Sequence, residues 1–203
     1  MGDTPEAWAV LGFEVEGETV ALGEVRVRAG GTQAGKGLVG WSLRGVESAD
    51  LDGLPTTLVD GEPPAPVSHS NGIAGIDHVV AITPRLERTV AALEAAGLEL
   101  RRIREEPTPA GAPRQAFFRL GPTILEVVQE PADIAAKNGP DRPAFFWGIA
   151  LVAPDIDATV AALGPERVSE VRAAVQPGRR IASLRRGSGL SLPVALITPR
   201  PPR

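Results

Sequence analysis

The chain has no cysteine and no tyrosine, one methionine, and only two histidines, His69 and His78. The missing thiols exclude disulfides, thiolate metal sites and cysteine nucleophiles, and they fit a reducing compartment. Aromatic residues make up 4% of the chain, so its core must be built from Ala, Val, Leu and Ile. No excess of one charge exists either: 21 basic residues face 25 acidic ones. A basic face for nucleic acid is therefore not expected. No stretch approaches the roughly 18 apolar residues of a membrane span. The opening, MGDTPEAWAVLGF, lacks the basic segment and long apolar run of a signal peptide. The expectation is a cytoplasmic protein that binds neither nucleic acid nor membrane.

What is present is turn-forming and apolar. The 203 residues include 20 prolines and 23 glycines, which imply many short elements, and 43% are hydrophobic, enough for a sizeable core. Residues 1–60 read as a strand-rich segment: a helical start from Pro5 to Leu11, then strands at Gly12–Glu16, Thr19–Arg28 and Gly37–Val46. The stretch Gly30–Lys36 comes near a phosphate loop but is followed by Gly37, where the pattern needs Ser or Thr. A hairpin connection is the better reading. Residues 61–71 are a proline-rich linker, and His69 within it is expected to be a solvent-exposed loop residue.

From residue 72 the pattern becomes regular. Ile76–Ile82 reads as a strand, and Thr83-Pro84 is a helix start. Leu86, Val90 and Leu93 form one apolar stripe, and Gly97 suits the helix end. Strands follow at Leu98–Ile103, Gln115–Leu120 and Thr123–Val128. A second linker spans 132–143, and the order then repeats over 144–199: strand Ala144–Val152, a helix after Pro154, and strands at Arg167–Val171, Arg180–Leu184 and Leu192–Ile197. Thr89-Val90-Ala91-Ala92-Leu93 recurs as Thr159-Val160-Ala161-Ala162-Leu163, an offset of 70, and Pro84 recurs at Pro154 with the same offset. The tail, 200–203, is expected to be weakly held. Two β-α-β-β-β modules, 72–131 and 144–199, with helices on the outer faces, predict an α+β fold of curved mixed sheets around a cavity.

Two polar residues interrupt apolar strands of the first module. His78 shares a strand face with Ile76, Val80 and Ile82; Glu126 shares one with Ile124 and Val128. A lone buried carboxylate is costly unless it is paired or bound to a cation. His and carboxylate suit many divalent metals. On the residues alone, His78 could equally be a neutral core imidazole and Glu126 an edge residue.

The stretches IDHVVAITPRLERTVAALEAAGLELRR and RQAFFRLGPTILEVVQEP, and more weakly FWGIALVAPDIDATVAALG to LPVALITP, resemble the vicinal oxygen chelate superfamily. That superfamily includes glyoxalases, bleomycin-resistance proteins and extradiol dioxygenases. The resemblance implies a divalent metal (Zn, Fe, Mn or Ni) held by His78 and Glu126, with Glu126 as ligand or proton-transferring base. It also implies small-molecule binding and pairing of modules, within one chain or in a homodimer. The second module departs from the pattern: Gly148 stands where a His is expected, and Val194 or Ala195 where a Glu is. Gln115, the N-terminal segment or a partner chain could supply a further ligand, and Gly148 and Ala150 are expected to leave room in the cavity. Arg179 and Arg180 are expected near the cavity rim, where Arg180 could bind a carboxylate or phosphate or protect a strand edge. Arg101, Arg102, Arg104 and Lys36 read as surface charge. Two functions remain open: a metal-dependent lyase, isomerase or dioxygenase, and a metal-free ligand-binding protein of the bleomycin-resistance type. A homologue without any ligand is the third.

Overall fold

The computed structural model describes residues 1–109 and 111–201. Helix α1 (Pro5–Ala9) starts where Thr4 accepts a hydrogen bond from the Ala7 amide and Pro5 needs no partner for its missing N–H. Its Trp8 is fully buried and packs edge-on against Phe13, 5.0 Å between ring centres. The strand expected over Thr19–Arg28 is a hairpin of β1 (Thr19–Leu22) and β2 (Val25–Arg28). Gly23, with φ +62°, opens its two-residue turn, where a positive φ favours glycine. Gly12–Glu16 forms no strand of its own beyond a bridge from Glu16 to Thr19. The near-phosphate-loop Gly30–Lys36 folds into a single 3-10 turn at Thr32–Ala34 and leads to β3 (Trp41–Leu43), not to the helix a phosphate loop requires. β3 pairs in parallel with β4 (Thr56–Leu58), a strand too short to stand out in the sequence.

The proline-rich segment holds a correction. His69 is 7% exposed, not a solvent-facing loop residue. Its Nδ1 accepts from the Glu14 amide at 3.0 Å, and its Nε2 lies 2.8 Å from the Ala21 carbonyl oxygen, to which it donates. The ring also packs against Phe13. Both ring nitrogens are satisfied by backbone, which makes this imidazole a structural fastener between residues distant in sequence.

The two repeats fold alike. In the first, β5 (Gly75–Thr83), α2 (Leu86–Ala95), β6 (Glu99–Arg104), β7 (Gln115–Leu120) and β8 (Thr123–Gln129) follow in order. β8 returns parallel to β5, β7 pairs antiparallel to β8, and β6 antiparallel to β7. In the second, β9 (Phe145–Val152), α4 (Ile156–Leu163), β10 (Arg172–Ala173), β11 (Arg180–Ser183) and β12 (Val194–Ile197) repeat that plan. The eight strands form one mixed sheet in the order β10-β11-β12-β9-β5-β8-β7-β6, giving an α+β fold. Between the repeats, the expected linker carries a short helix, α3 (Ala132–Asn138).

The helix ends follow from their residues. Thr83 accepts from the Arg85 amide, and α2 starts at Leu86, two residues after Pro84. At its far end the amides of Gly97 and Leu98 bond back to the carbonyls of Glu94 and Leu93, with Gly97 at φ +86°, a left-handed cap. Helix α4 is capped by Asp155, whose carboxylate accepts from the Ala158 amide at 3.0 Å.

The described chain divides into two compact units: Met1–Val39, Glu62–Asp77 and Gly148–Arg203 in one, Gly40–Gly61 and His78–Trp147 in the other. In the second unit, one sheet face is closed. Ala81, Ala116, Phe118, Leu125 and Val127 are fully buried there, as are Leu86 and Leu93 of α2 to within 1%. The stretch Gly40–Gly61 is clamped to α2 in this unit: the Asp52 carboxylate takes the Arg88 guanidinium (2.7 Å) and the Thr89 hydroxyl. Residues Pro202 and Arg203 of the expected loose tail lie outside the described residues, whereas Arg200 is tied to Asp77 (3.4 Å).

Candidate functional site

The other face of the same four strands stays partly open. Strand alternation and register put His78, Val80 and Ile82 of β5 beside Ile124, Glu126 and Val128 of β8, then Gln115 and Phe117 of β7. His78, Ile82, Ile124, Glu126, Val128 and Phe117 are all half-buried, in contrast to the closed face.

The structure brings the two interrupting residues together. His78 Nε2 lies 3.5 Å from Glu126 Oε2, with the two side chains 16% and 15% exposed. Gln115, 7% exposed, donates its side-chain amide to the other carboxylate oxygen, Oε1. The arrangement explains how a carboxylate survives in the apolar run ILEVV: one oxygen is held by an amide, and the other faces an imidazole. It also gives Gln115 a position at the site beside Glu126.

His78 and Glu126 are the two side chains that would hold a divalent ion here, where it would polarise a bound oxygen. Catalytic shells use three protein ligands and a water, and among the described residues no group of three His, Cys, Asp or Glu converges. These residues fit half of such a shell and do not complete it.

The corresponding positions of the second repeat are closed by backbone. A Cβ on Gly148 would stand 2.5 Å from the carbonyl oxygen of Pro193 and 3.1 Å from its Cβ. Gly148 therefore leaves no room, contrary to the expectation of spare cavity volume there. Register settles the other position: Val80 pairs with Glu126, and its repeat-mate Ala150 pairs with Ala195. Ala195, not Val194, stands in the place of the glutamate.

The two arginines expected at a rim behave differently. Arg179 is 3% exposed and binds both oxygens of Asp77, at 2.7 and 3.2 Å, and the Thr198 carbonyl. It is a buried structural pair, because a forked guanidinium meets a carboxylate side-on and a backbone oxygen takes a remaining donor. Arg180 is exposed and makes two bonds to Asp157, at 2.6 and 2.8 Å. That partner holds the Asp157 carboxyl below its ordinary value and raises the guanidinium. Within this unit Arg180 is engaged with α4.

Two further residues, Arg102 and Arg104, share the open face with Glu126; Arg102 is exposed, as expected of surface charge, and Arg104 half-buried. A β-bulge between Leu100 and Arg102 resets the β6 register, so that Arg102 pairs with Phe117 and Arg104 with Gln115. The Arg102 guanidinium stands over the Phe117 ring, 4.7 Å from its centre. Nothing in ELRRIR marks a bulge, which is set by the pairing with β7.

No family model matches the sequence, and no curated protein matches it. Solved structures do. A methylmalonyl-CoA epimerase from Mycobacterium tuberculosis superposes with a TM-score of 0.51 at 17% identity, covering 65% of this chain and 92% of the epimerase. A hypothetical protein from Bacillus halodurans superposes with a TM-score of 0.50 at 14% identity, covering 63% of this chain and 96% of its own. The fold is glyoxalase-like. His78 and Glu126 thus stand on the first and last strands of one β-α-β-β-β unit of a glyoxalase-like fold, facing its open side.

Proposed function

We propose that this glyoxalase-like protein binds a small oxygen-bearing molecule on the open face of β5, β8 and β7, and that His78 and Glu126 act on it by proton transfer. The reading rests on one observation: an imidazole and a carboxylate 3.5 Å apart, half-buried in apolar strands. Glu126 is the base. Gln115 holds one of its oxygens, which orients the carboxylate. A C–H bond beside a carbonyl breaks, its electrons move toward that oxygen, and Glu126 takes the proton. Delivery of a proton to the opposite face of that carbon, from water or a second donor, completes an isomerisation with no redox change. His78 stands beside the carboxylate to donate toward the charge that develops, and general acid–base pairs of this kind contribute about 10²–10⁴-fold.

Methylmalonyl-CoA is the first compound to try, since a structure sharing this fold is an epimerase of that thioester. Incubation in deuterium oxide should place deuterium on the carbon between the two carbonyls, and Glu126→Gln should slow this by at least about 10²-fold. The assay is run with and without Zn, Fe, Mn or Ni salts, alongside elemental analysis of untagged protein. Stoichiometric metal that is lost in both His78→Ala and Glu126→Ala would assign the pair as metal ligands.

The closure of Gly148 by Pro193 favours a second reading, a metal-free binding protein in which the same residues anchor a ligand by hydrogen bonds. Saturable binding without exchange, weakened in His78→Ala, selects it.

A further inference from the structure

We infer that Arg102 and Arg104 form an anion-binding end of the open face, so that the ligand carries a carboxylate or phosphate about two strand spacings from the group held at Glu126. The inference rests on the proposed use of that face and names the chemistry of what occupies it. Across the four strands the register places Val80, Glu126, Phe117 and Arg102 in one row, and Ile82, Val128, Gln115 and Arg104 in the next. Neighbouring strands lie about 4.8 Å apart, so Arg102 stands roughly 10 Å from Glu126 along its row. The face thus runs from a carboxylate–imidazole pair, over an aromatic ring, to two cations.

Three features distinguish these cations from ordinary edge charge. The bulge at Leu100/Arg102 is what sets them opposite Phe117 and Gln115, and bulges commonly re-aim side chains beside sites. Arg102, although exposed, has its guanidinium over the Phe117 ring. Arg104 is 26% exposed, and the acidic partner within reach is the exposed Glu106, at 3.7 Å. Such a long, exposed pair contributes little and gives way to a ligand anion that the fork can grip with two hydrogen bonds. Protection of the β6 edge against pairing is the competing explanation, and it requires charge on the strand without regard to face.

The neighbouring Arg101 separates the two. It is on the same strand with the same charge, but sits at the bulge and pairs with Glu99 at 2.5 Å. The experiment is an amide-resolved NMR titration of the full chain with inorganic pyrophosphate and with succinate, and with uncharged 1,4-butanediol as control. Saturable shifts at 102–104 and 115–117 with an anion, and none with the diol, are expected; which anion binds tells phosphate from carboxylate. The Arg102→Ala/Arg104→Ala double variant should weaken binding at least about tenfold, the loss of a charge-assisted hydrogen bond. Arg102→Lys/Arg104→Lys, which keeps the edge charged, should still weaken it severalfold, because an ammonium cannot grip with two prongs. Arg101→Ala should leave it unchanged. Equal weakening in Arg101→Ala, unchanged affinity in both double variants, or no saturable shift with either anion overturns the inference. Deuterium exchange that depends on Glu126 while the arginine variants bind anions normally would leave the proton chemistry standing and remove this inference alone.

Discussion

The two β-α-β-β-β repeats share connectivity, a five-residue helix stretch and strand register, yet they differ at the positions that face the open side of the first. There, β5 and β8 present His78 and Glu126; in the second, β9 and β12 present Gly148 and Ala195. The difference is deeper than two substitutions. The Pro193 backbone occupies the space a side chain at 148 would need. Function is proposed for the first repeat alone. Paired positions also diverge elsewhere. Arg114 and Arg179 align in the repeat, yet the first lies at the surface between Glu87 and Glu105, and the second is buried on Asp77.

The largest effect that would test this contrast is at Arg179. Arg179→Ala removes the buried guanidinium that grips both oxygens of Asp77, and should cost about 3–5 kcal/mol in chemical unfolding. If it costs no more than a surface substitution, the second repeat is not held by this pair. Next, Gly148→Ala should lose about 1–3 kcal/mol, since backbone must move to admit the Cβ. The matching change His78→Ala should be milder, and a neutral Gly148→Ala would show the second position to be open after all. Third, Asp155→Ala removes the cap of α4 and should cost about 1 kcal/mol. Arg85→Ala at the corresponding N-cap of α2 removes no capping bond, so the cap contributes nothing to its cost.

The smallest expected effect is at Arg114. Its guanidinium holds the Glu87 carboxyl below the ordinary value of 4.5, chiefly through a direct hydrogen bond. A depressed folded-state value contributes stability above the unfolded value, and that stability is lost as pH falls through the folded one. Arg114→Ala should therefore lower the thermal midpoint slightly at pH 7, by the 0.2–1 kcal/mol or so of an exposed pair. The difference from the unaltered protein should shrink on acidification below about pH 4. A gap that persists in acid would mean Arg114 acts through packing.

Much of this was legible before any coordinates. The repeated Thr-Val-Ala-Ala-Leu, the prolines before each helix and the glycines after them place α2 and α4, and an imidazole and a carboxylate inside apolar strands mark the candidate site. Other features had no local signature. The proline-rich surroundings of His69 point to an exposed loop, whereas its burial comes from Phe13 and the backbone at Glu14 and Ala21, all far along the chain. Helix α3 hides between proline-bearing ends. The bulge in β6 depends on its pairing with β7, so Arg102 and Arg104 could not be assigned a face from alternation. Arg179 and Arg180 are neighbours of identical type, and only their partners, Asp77 and Asp157, tell a buried brace from a surface pair.

Asp77 and His78 are consecutive on β5, and the pleat sends them to opposite sides. The first is gripped at both oxygens, and the second is offered to the open face. One peptide plane therefore joins a buried ion pair to the candidate site. A one-residue slip of β5 would exchange the two, turning the imidazole to the closed side and the aspartate to the open one.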